Sequence, residues 1–528
     1  MNAAVLPTDL VSLFAGVLDA DECLTDLQLR RTASSDVYCE GLLADAVLRP
    51  RDKHRLARAV GVATAAGYAI VTRGGGMSYT GGYTPQRLRT LVLDTAQLDR
   101  IVEINPEDMY ITVEAGVTWK SIHEALAPRG LRLPFFGTFS GARATVGGGL
   151  SNGALFLGTA RYGTAADCML GLEVVLADGT LLRTGQAAFR NVVKPFYRTY
   201  GPDLSGLFIH DSGSLGVKVQ ITLRLIPAPA HSGFLSFAFA DMERAGSALS
   251  DVARSGAAEE AYVFDPETTR KNLEGGSLVQ DAKTLLKVMR RGTGLLDGLK
   301  QGAELVAGGK NFVPEGAFSL HIVAAGRSEA AVAADLEACR AACLAKGGSE
   351  LPNSIPKAVR ADLFPPPNGV LGPKGDRWAA LNAKVAHSDA TRIMQASAAL
   401  LAPHAEAMER AGVWMSHLLI AIDNHAFSFE PVFHWYDEWL PLHEQLPSAE
   451  LLASFKRPEP NPAAKALVQK LRTELVALFA ELGAASNQIG KTYLYRESLD
   501  PATDRLLASL KASVDPKGNL NPGGLGFR

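Results

Sequence analysis

Between residues 40 and about 230 the chain alternates short apolar runs with glycine-rich turns. AVLRP, YAIVTRGGG, TLVLDT, YITVEAG, LGLEVVLADGTLLRTG and LGVKVQITLRLIP read as strands bounded by turn residues. VVLADGTLL, with Asp178-Gly179 between two apolar stretches, predicts a hairpin. Helical spacing is confined to DKHRLARAVGVATAAG and WKSIHEALAPRG. From residue 231 the rhythm changes. FLSFAFA precedes a helical DMERAGSALSDVARSG, and SLHIVAAG precedes EAAVAADLEACRAACLAKGG. SHLLIAID and AFSFEPVFHW lead to an amphipathic helix in AAKALVQKLRTELVALFAELG. This order predicts an antiparallel sheet with helices on one face. FPPPNGVLGPKGDRW, residues 364–378, reads as a loop from its Pro and Gly content. The stretch from QIGKTYLYRES to the end is turn-rich and too short for a domain, so it is expected to pack back onto the rest.

The glycine turns are the first chemical signal. VTRGGGMSYTGGY, residues 71–83, runs from a strand into three glycines and small polar residues. ARATVGGGLSNGALFLGTARYGTAADCMLGLEVVLADG, residues 142–179, repeats the device, and LFIHDSGSLGVKVQITLRL repeats it before another strand. Glycines let successive backbone N–H groups converge on an anion such as a pyrophosphate. One such loop is equally a plain tight turn. Three, each abutting a strand, suggest one extended ligand held at several points. A nicotinamide site is disfavoured, because neither glycine run opens a helix directly after a strand in G-x-G-x-x-G spacing.

Composition narrows the class. The chain is 47% hydrophobic and 20% charged, with 53 basic and 55 acidic residues and a formal charge of -2. No net positive field exists to hold nucleic acid, which is not expected as a partner. The N-terminus lacks a basic segment ahead of its apolar one, and no long uncharged apolar run occurs, so neither a secretory signal nor a transmembrane segment is expected and the cytoplasm is the expected location. Five scattered cysteines give no disulfide or zinc pattern; Cys339 and Cys343 read as small buried helix residues.

RGGGMSYTGGY, TVGGGLSNGA with ARYGTAADCMLGLEVVLADG, GSLGVKVQITLRL and the terminal DPKGNLNPGGLG together resemble the vanillyl-alcohol oxidase/p-cresol methylhydroxylase flavoprotein superfamily. The matches follow the family's order over residues 40–228 and 485–528. The resemblance implies an α+β fold: a two-part FAD-binding domain of the p-cresol methylhydroxylase type over residues 1–230, a cap with an antiparallel sheet and flanking helices over 231–484, and a segment 485–528 returning to the first domain. It implies a pyrophosphate loop at Arg73, Gly74, Gly75, Gly76, Met77, Ser78 and Tyr79. Thr145, Gly147, Gly148, Ser151 and Asn152 would line the pyrophosphate and ribityl chain. Tyr162, Gly163 and Ala166 would flank the flavin, Val217 the adenine, and Asn521 would return towards the cofactor. Members that bond FAD covalently through the first loop carry His where this chain has Met77, so non-covalent FAD is expected; the cap histidines His417, His425 and His434 stay open as attachment points.

Catalytic candidates cluster in WMSHLLIAIDNHAFSFEPVFHWYDEW. The two-residue period of a strand puts Phe427, Phe429, Pro431 and Phe433 on one side, and Glu430 with His434 on the other. Glu430 and His434 are candidates for a general base and its orienter, with His425 nearby; each histidine is equally a satisfied core or rim residue. A metal is not expected, since the histidine-glycine-aspartate pattern of metal-bearing relatives is missing. In GKTYLYRESLD, Tyr495 and Arg496 match a Tyr-Arg pair that holds the phenolate oxygen in phenol-oxidising relatives, and an Arg fork suits a carboxylate equally well. The plain alternative is a surface pair beside Glu497.

The cap pattern looks closest to FAD-linked D-lactate and glycolate dehydrogenases. The expected activity is oxidation of a small-molecule 2-hydroxy acid by hydride transfer to flavin N5. Oxidation of a para-substituted phenol or aryl alcohol is the alternative. Non-redox use of FAD, as in alkylglycerone-phosphate synthesis, would need phosphate ligands, for which Arg360, Lys357 and Lys384 are weak candidates. The electron acceptor is open among oxygen, a quinone, a cytochrome and an electron-transfer flavoprotein. The oligomeric state, a homodimer included, is open as well.

Overall fold

Three sheets of four or more strands organise the computed structural model, which describes residues 10–274, 313–366, 371–372, 374–445 and 452–527. β1 (Cys23–Leu24), β2 (Ala46–Leu48), β3 (Ala69–Arg73) and β4 (Thr90–Asp94) form the first, in the order β1-β2-β4-β3, with β2 and β3 parallel to β4. All five residues of β4 are buried, as a parallel strand covered on both faces requires. Helix α1 (Lys53–Ala65) starts at Asp52, whose carboxylate accepts from the amides of His54 and Arg55. It lays Leu56, Ala59, Val60 and Ala63 on the sheet.

The second sheet is antiparallel, built from β5 (Ile101–Asn105), β6 (Tyr110–Glu114), β7 (Met169–Val175), β8 (Leu181–Arg183) and β9 (Val217–Arg224) in the order β5-β6-β9-β7-β8. The predicted hairpin at Asp178-Gly179 is the β7–β8 turn, and Gly179 takes φ +85 there, a conformation that favours glycine. The short helix α2 (Val146–Asn152) carries the second triple glycine against β6 and β9.

The third sheet begins at residue 231. It comprises β10 (His231–Phe239), β11 (Glu260–Phe264), β12 (Phe318–Gly326), β13 (Ser349–Glu350), β14 (Asp376–Ala380), β15 (Ala383–Val385), β16 (Trp414–Ile422) and β17 (Ala426–Tyr436). The order is β13-β10-β12-β11-β16-β17-β14, with β15 also on β17 and every pairing antiparallel. Part of the predicted 364–378 loop is therefore strand, from Asp376 onward; its residues 367–370 and 373 lie outside the described residues.

Helices α3 (Met242–Ser255), α4 (Glu329–Ala345), α5 (Ala390–Leu401) and α6 (Pro462–Glu481) cover one face of this sheet. Phe427, Phe429, Phe433 and Trp435 point into them, beside Leu249, Ile393, Leu471 and the buried thiols Cys339 and Cys343. Each such side chain contributes about 1.5–3 kcal/mol by leaving water. On the opposite face Tyr262, Phe264, Ile420 and Ile422 join a cluster with Trp119, Val146, Leu150, Ile221 and Leu223 from the second sheet and its helices. The fold is thus mixed α and β, with the large sheet lying between its own helices and the glycine-loop region.

Directed contacts fix that placement. Arg132 pairs with Glu259, and Arg360 pairs with both Glu259 and Glu260, in a buried network. Arg132 and Arg360 both approach the Phe136 ring, at 4.7 and 4.8 Å. Asp423, in the β16–β17 turn, donates its amide to Thr159 O at 3.0 Å. The tail, which includes helix α7 (Pro501–Val514), lies along the edge of β3: Ile70 donates to Asn519 O, and Asn521 donates to Ile70 O, each at 2.8 Å.

Candidate functional site

The two triple glycines meet. β3 ends at Arg73, and the following Gly74 and Gly75 lie against the turn before α2. A Cβ at Gly75 would stand 1.9 Å from Arg143 O, and one at Gly74 would stand 2.3 Å from Thr145 Oγ1. Only glycine permits that approach. Thr145 caps α2, accepting from the Gly148 amide at 3.3 Å. A Cβ at Gly147 would stand 2.8 Å from Ala115 Cβ. Ser151 and Asn152 donate back to Gly147 O and Gly148 O, at 2.9 and 3.1 Å.

This cradle has polar capacity that the protein does not use. Arg73 Nε, Asn152 Oδ1, Ser214 Oγ and Asn521 Oδ1 are buried without a hydrogen-bond partner. Arg143 has no ion pair among the described residues, and burial followed by the neighbouring Arg73 lowers its pKa. Two crowded guanidiniums, of which Arg73 has only a 3.9 Å approach to Asp94 and Arg143 no ion pair among the described residues, stand beside glycine-lined amides and fit a diphosphate. Asn521, held by Nδ2 bonds to Gly82 O and Ser212 O, brings the tail to the same place. The residues present fit a flavin dinucleotide.

Other expected cofactor residues fall where the fold puts them. Gly163 takes φ +73, and a Cβ there would meet Asp167 Oδ2 at 2.4 Å. Asp167 accepts from Thr164 N and Oγ1, and Ala166 O accepts from Arg198. Arg132 stands 5.7 Å over the Tyr162 ring. Val217 is 1% exposed and belongs to the core of the first sheet, so only its backbone can meet a ligand. Met77 packs against Val37, Leu371 and Leu442.

Above the cradle lies the polar face of the large sheet. Glu430 and His434 share that face, and Phe427, Phe429 and Phe433 point the other way into the helices. Glu430 is 5% exposed; burial pushes its carboxyl up to about 7, with Asn382 drawing it partly back. Its neighbours come from both sides of the interface. Tyr79 of the first glycine loop lies edge-on to Trp378 at 4.7 Å, and its phenol is raised by burial and then by Glu430. Tyr493 Oη accepts from the Asn382 amide at 2.6 Å, and burial raises it too. Asn382 Nδ2 donates to Ser428 Oγ at 2.7 Å, and its Oδ1 has no partner. Arg472 donates to Ala380 O and Tyr79 O, placing a cation behind the two phenols.

His434 does not orient Glu430. Its Nε2 meets Ser416 Oγ at 2.8 Å, its ring stacks on Trp414, and burial lowers its pKa to about 3. His425 is exposed in the β16–β17 turn, away from this face. His417 faces the helix side, stacked on Phe429 and bonded to Asp265. Arg496 also departs from expectation: its fork is closed on Asp504, at 2.6 and 2.9 Å, and it lies over Phe527. The tyrosine from the tail that reaches Glu430 is Tyr493, not Tyr495. Asn382 and Arg143 carried no signal in the sequence pattern, one lying beside a three-residue strand and the other in a turn. Among the described residues no group of three His, Cys, Asp or Glu side chains is arranged to hold a metal.

Comparison with known proteins agrees with the cradle. Residues 44–185 match the family described as FAD binding domain. The glycolate oxidase subunit GlcD of Bacillus subtilis (strain 168) is 30% identical over 210 residues, 40% of this chain and 43% of that protein. The mitochondrial D-lactate dehydrogenase [cytochrome] 1 of Saccharomyces cerevisiae (strain ATCC 204508 / S288c) is 28% identical over 189 residues, 35% of this chain and 30% of that protein. The matches thus span less than half the length of these curated relatives. In fold the likeness runs along the chain. p-Cresol methylhydroxylase with substrate bound superposes with a TM-score of 0.71 at 18% identity, covering 98% of this chain and 96% of that one. An alkyldihydroxyacetonephosphate synthase does so with 0.66 at 16% identity, covering 99% and 87%. Residues 44–185 therefore match an FAD-binding domain in sequence, and the fold along the chain is similar to that of p-cresol methylhydroxylase. Among the described residues no helix is long and apolar enough to cross a membrane.

Proposed function

We propose that the protein is an FAD-dependent oxidoreductase that oxidises the CH–OH group of a small 2-hydroxy acid of the D-lactate or glycolate kind. Bound FAD supplies the acceptor, at N5, for the hydride that leaves the substrate carbon. Glu430 takes the hydroxyl proton. An aliphatic hydroxyl is far too weak an acid to ionise unaided, and a carboxylate poised near neutrality is matched to that task. Tyr79 and Tyr493 hold the anionic end through their hydroxyls, with Arg472 lending positive charge behind them. The apolar surround excludes water and fixes the approach.

Glu430 carries this reading: a buried carboxyl titrating near 7, on the sheet face that looks at the flavin loop. The names of the relatives at about 30% identity support the substrate class. A second reading, oxidation of a para-substituted phenol, is favoured by the paired phenols Tyr79 and Tyr493, which suit a phenolate oxygen. Such a substrate ionises readily and has less need of Glu430.

Anaerobic photometry separates the two. Bleaching of the flavin band by D-lactate or glycolate, with none by 4-alkylphenols or vanillyl alcohol, is the expected result. The reverse pattern replaces the first reading by the second. A flavin that neither class bleaches removes both.

A further inference from the structure

One partly buried cation on the sheet face takes no part in the reaction proposed above. Lys384 is the middle residue of β15, opposite Ser428 of β17 and therefore on the same face as Glu430. Its backbone is fixed from both sides: Lys384 N donates to Ala485 O at 2.8 Å, and Ala485 N returns to Lys384 O at 3.0 Å. The strand cannot turn the lysine elsewhere without breaking this ladder. Yet its ammonium has neither hydrogen bond nor ion pair among the described residues. Leaving a charge in a desolvated place without a partner is costly, and burial lowers its pKa to about 8.

The charged groups nearest to Lys384 identify what it faces. They belong to the cofactor cradle, not to the Glu430 pocket. Asp167, in the turn after Gly163, is the charge acting on Lys384. Its Oδ2 accepts from Thr164, and among the described residues it makes no ion pair with Lys384. His210 feels Lys384 in return; burial, then this cation, hold the imidazole down at about 4 and thus uncharged. The His210 ring lies against Gly153, where a Cβ would meet it at 2.2 Å. Gly153 and Gly163 both lie within the stretch from Asn152 to Ala166. Glu430, by contrast, is perturbed by burial and Asn382, and Lys384 is not among its partners.

We propose that Lys384 is the cation set against the negative charge that the flavin gains on reduction. This rests on the FAD reading above but not on the identity of the substrate. The balance is simple. A hydride brings two electrons and one proton to the flavin, the hydroxyl proton goes to Glu430, and the ring is left with one additional negative charge. The Lys384 ammonium pairs with that charge and with nothing before it, so it stabilises the product of hydride transfer more than the reactant. Lys384 tunes the cofactor; it moves no proton and touches no substrate hydroxyl.

The test compares K384M and K384R with the wild type, each with FAD content measured first. K384M is expected to bind FAD fully. It should shift the reduced/oxidised equilibrium of the flavin tenfold or more towards the oxidised form, which is about 30 mV for a two-electron couple. It should also weaken the flavin's sulfite adduct, itself anionic, at least tenfold. K384R should restore most of both. A yellow K384M with unchanged potential and sulfite affinity overturns the assignment and leaves the FAD reading standing. A K384M whose potential is intact but whose KM for a hydroxy acid rises places the lysine on the substrate and equally overturns it. A wild type that takes up no FAD removes both readings together.

Discussion

The two faces of the large sheet differ in kind although they alternate along the same strands. On β17, Phe427, Phe429, Phe433 and Trp435 meet helices and are close-packed by carbon. Their neighbours Ser428, Glu430 and His434 look towards the cofactor cradle and are buried as well, but among polar groups. One face is buried for stability. The other is buried at a cost, since a carboxyl and an imidazole are held away from water there, beside a partly buried ammonium. A fold keeps such a face where chemistry needs groups whose charge shifts near neutral pH. The comparison predicts that equal truncations on the two faces have opposite signatures.

Glu430→Gln should give the largest effect on the polar face. The rate of flavin reduction by a 2-hydroxy acid should fall 10²–10⁴-fold, the usual weight of a positioned base. FAD content should stay whole. An E430Q protein that reduces its flavin at near the wild-type rate removes Glu430 from the reaction. Phe433→Ala, on the same strand but the helix face, should do the reverse. About 3–5 kcal/mol of stability should go, as for other buried aromatic residues cut to alanine. The reduction rate per folded molecule should change little. Thermal melts and single-turnover photometry on the same samples separate the two; a Phe433→Ala protein that melts normally but is slow in chemistry would erase the distinction between faces.

Glu430 also couples the comparison to pH. Its folded-state pKa, about 7, lies above the ordinary value near 4.5. A raised acid contributes stability that is complete below the ordinary pKa and is lost as pH rises through the folded one. Wild type should therefore weaken between about pH 5 and pH 7 by an amount that E430Q does not, about 3 kcal/mol at most from the size of the shift. Activity should move the other way and rise through the same window as the base ionises. His434, held at about 3 when folded, takes a proton only on unfolding as pH falls below its ordinary 6.5. It therefore adds an opposite stability slope that wild type and E430Q share and that cancels in their difference. Neutral in the folded protein, it does not shape the activity curve. Stability-against-pH curves that superimpose for wild type and E430Q would show that Glu430 is not displaced upward.

How much of this was legible in the sequence depends on the range over which each feature is decided. The alternation in AFSFEPVFHW is local, and it assigned both faces of β17 correctly because a strand has only two. The glycine turns were legible since the close approach at Gly74 and Gly75 leaves no other residue a place. Long-range partners were not. Lys384 occupies a strand of three residues, too short for any period to show. Trp378 follows a Pro- and Gly-rich stretch that reads as loop, yet β14 is drawn into the sheet by β17. His425 falls at a hairpin turn, where Asp423 takes φ +50, and nothing in the spacing of the histidines distinguishes a turn from a strand end.

Arg496 gives the smallest effect and a sharp one. Its resemblance to an anion-binding Tyr-Arg pair rested on position before the terminal glycine run. The structure instead closes its guanidinium on Asp504 in the first turn of α7, beside Phe527. Both partners are partly exposed, so the pair is worth about 0.2–1 kcal/mol, and somewhat less at high salt. Arg496→Met should lower the melting temperature slightly and leave the apparent affinity for every acidic substrate where it was. Tyr493→Phe, on the same tail, should weaken the affinity by more and also lower the melting temperature, because it removes a hydroxyl from the Glu430 pocket and leaves the buried Asn382 amide without its acceptor. Should Arg496→Met instead raise the KM for hydroxy acids tenfold, the fork must open from Asp504 when substrate arrives, and the anionic end would belong to Arg496 after all.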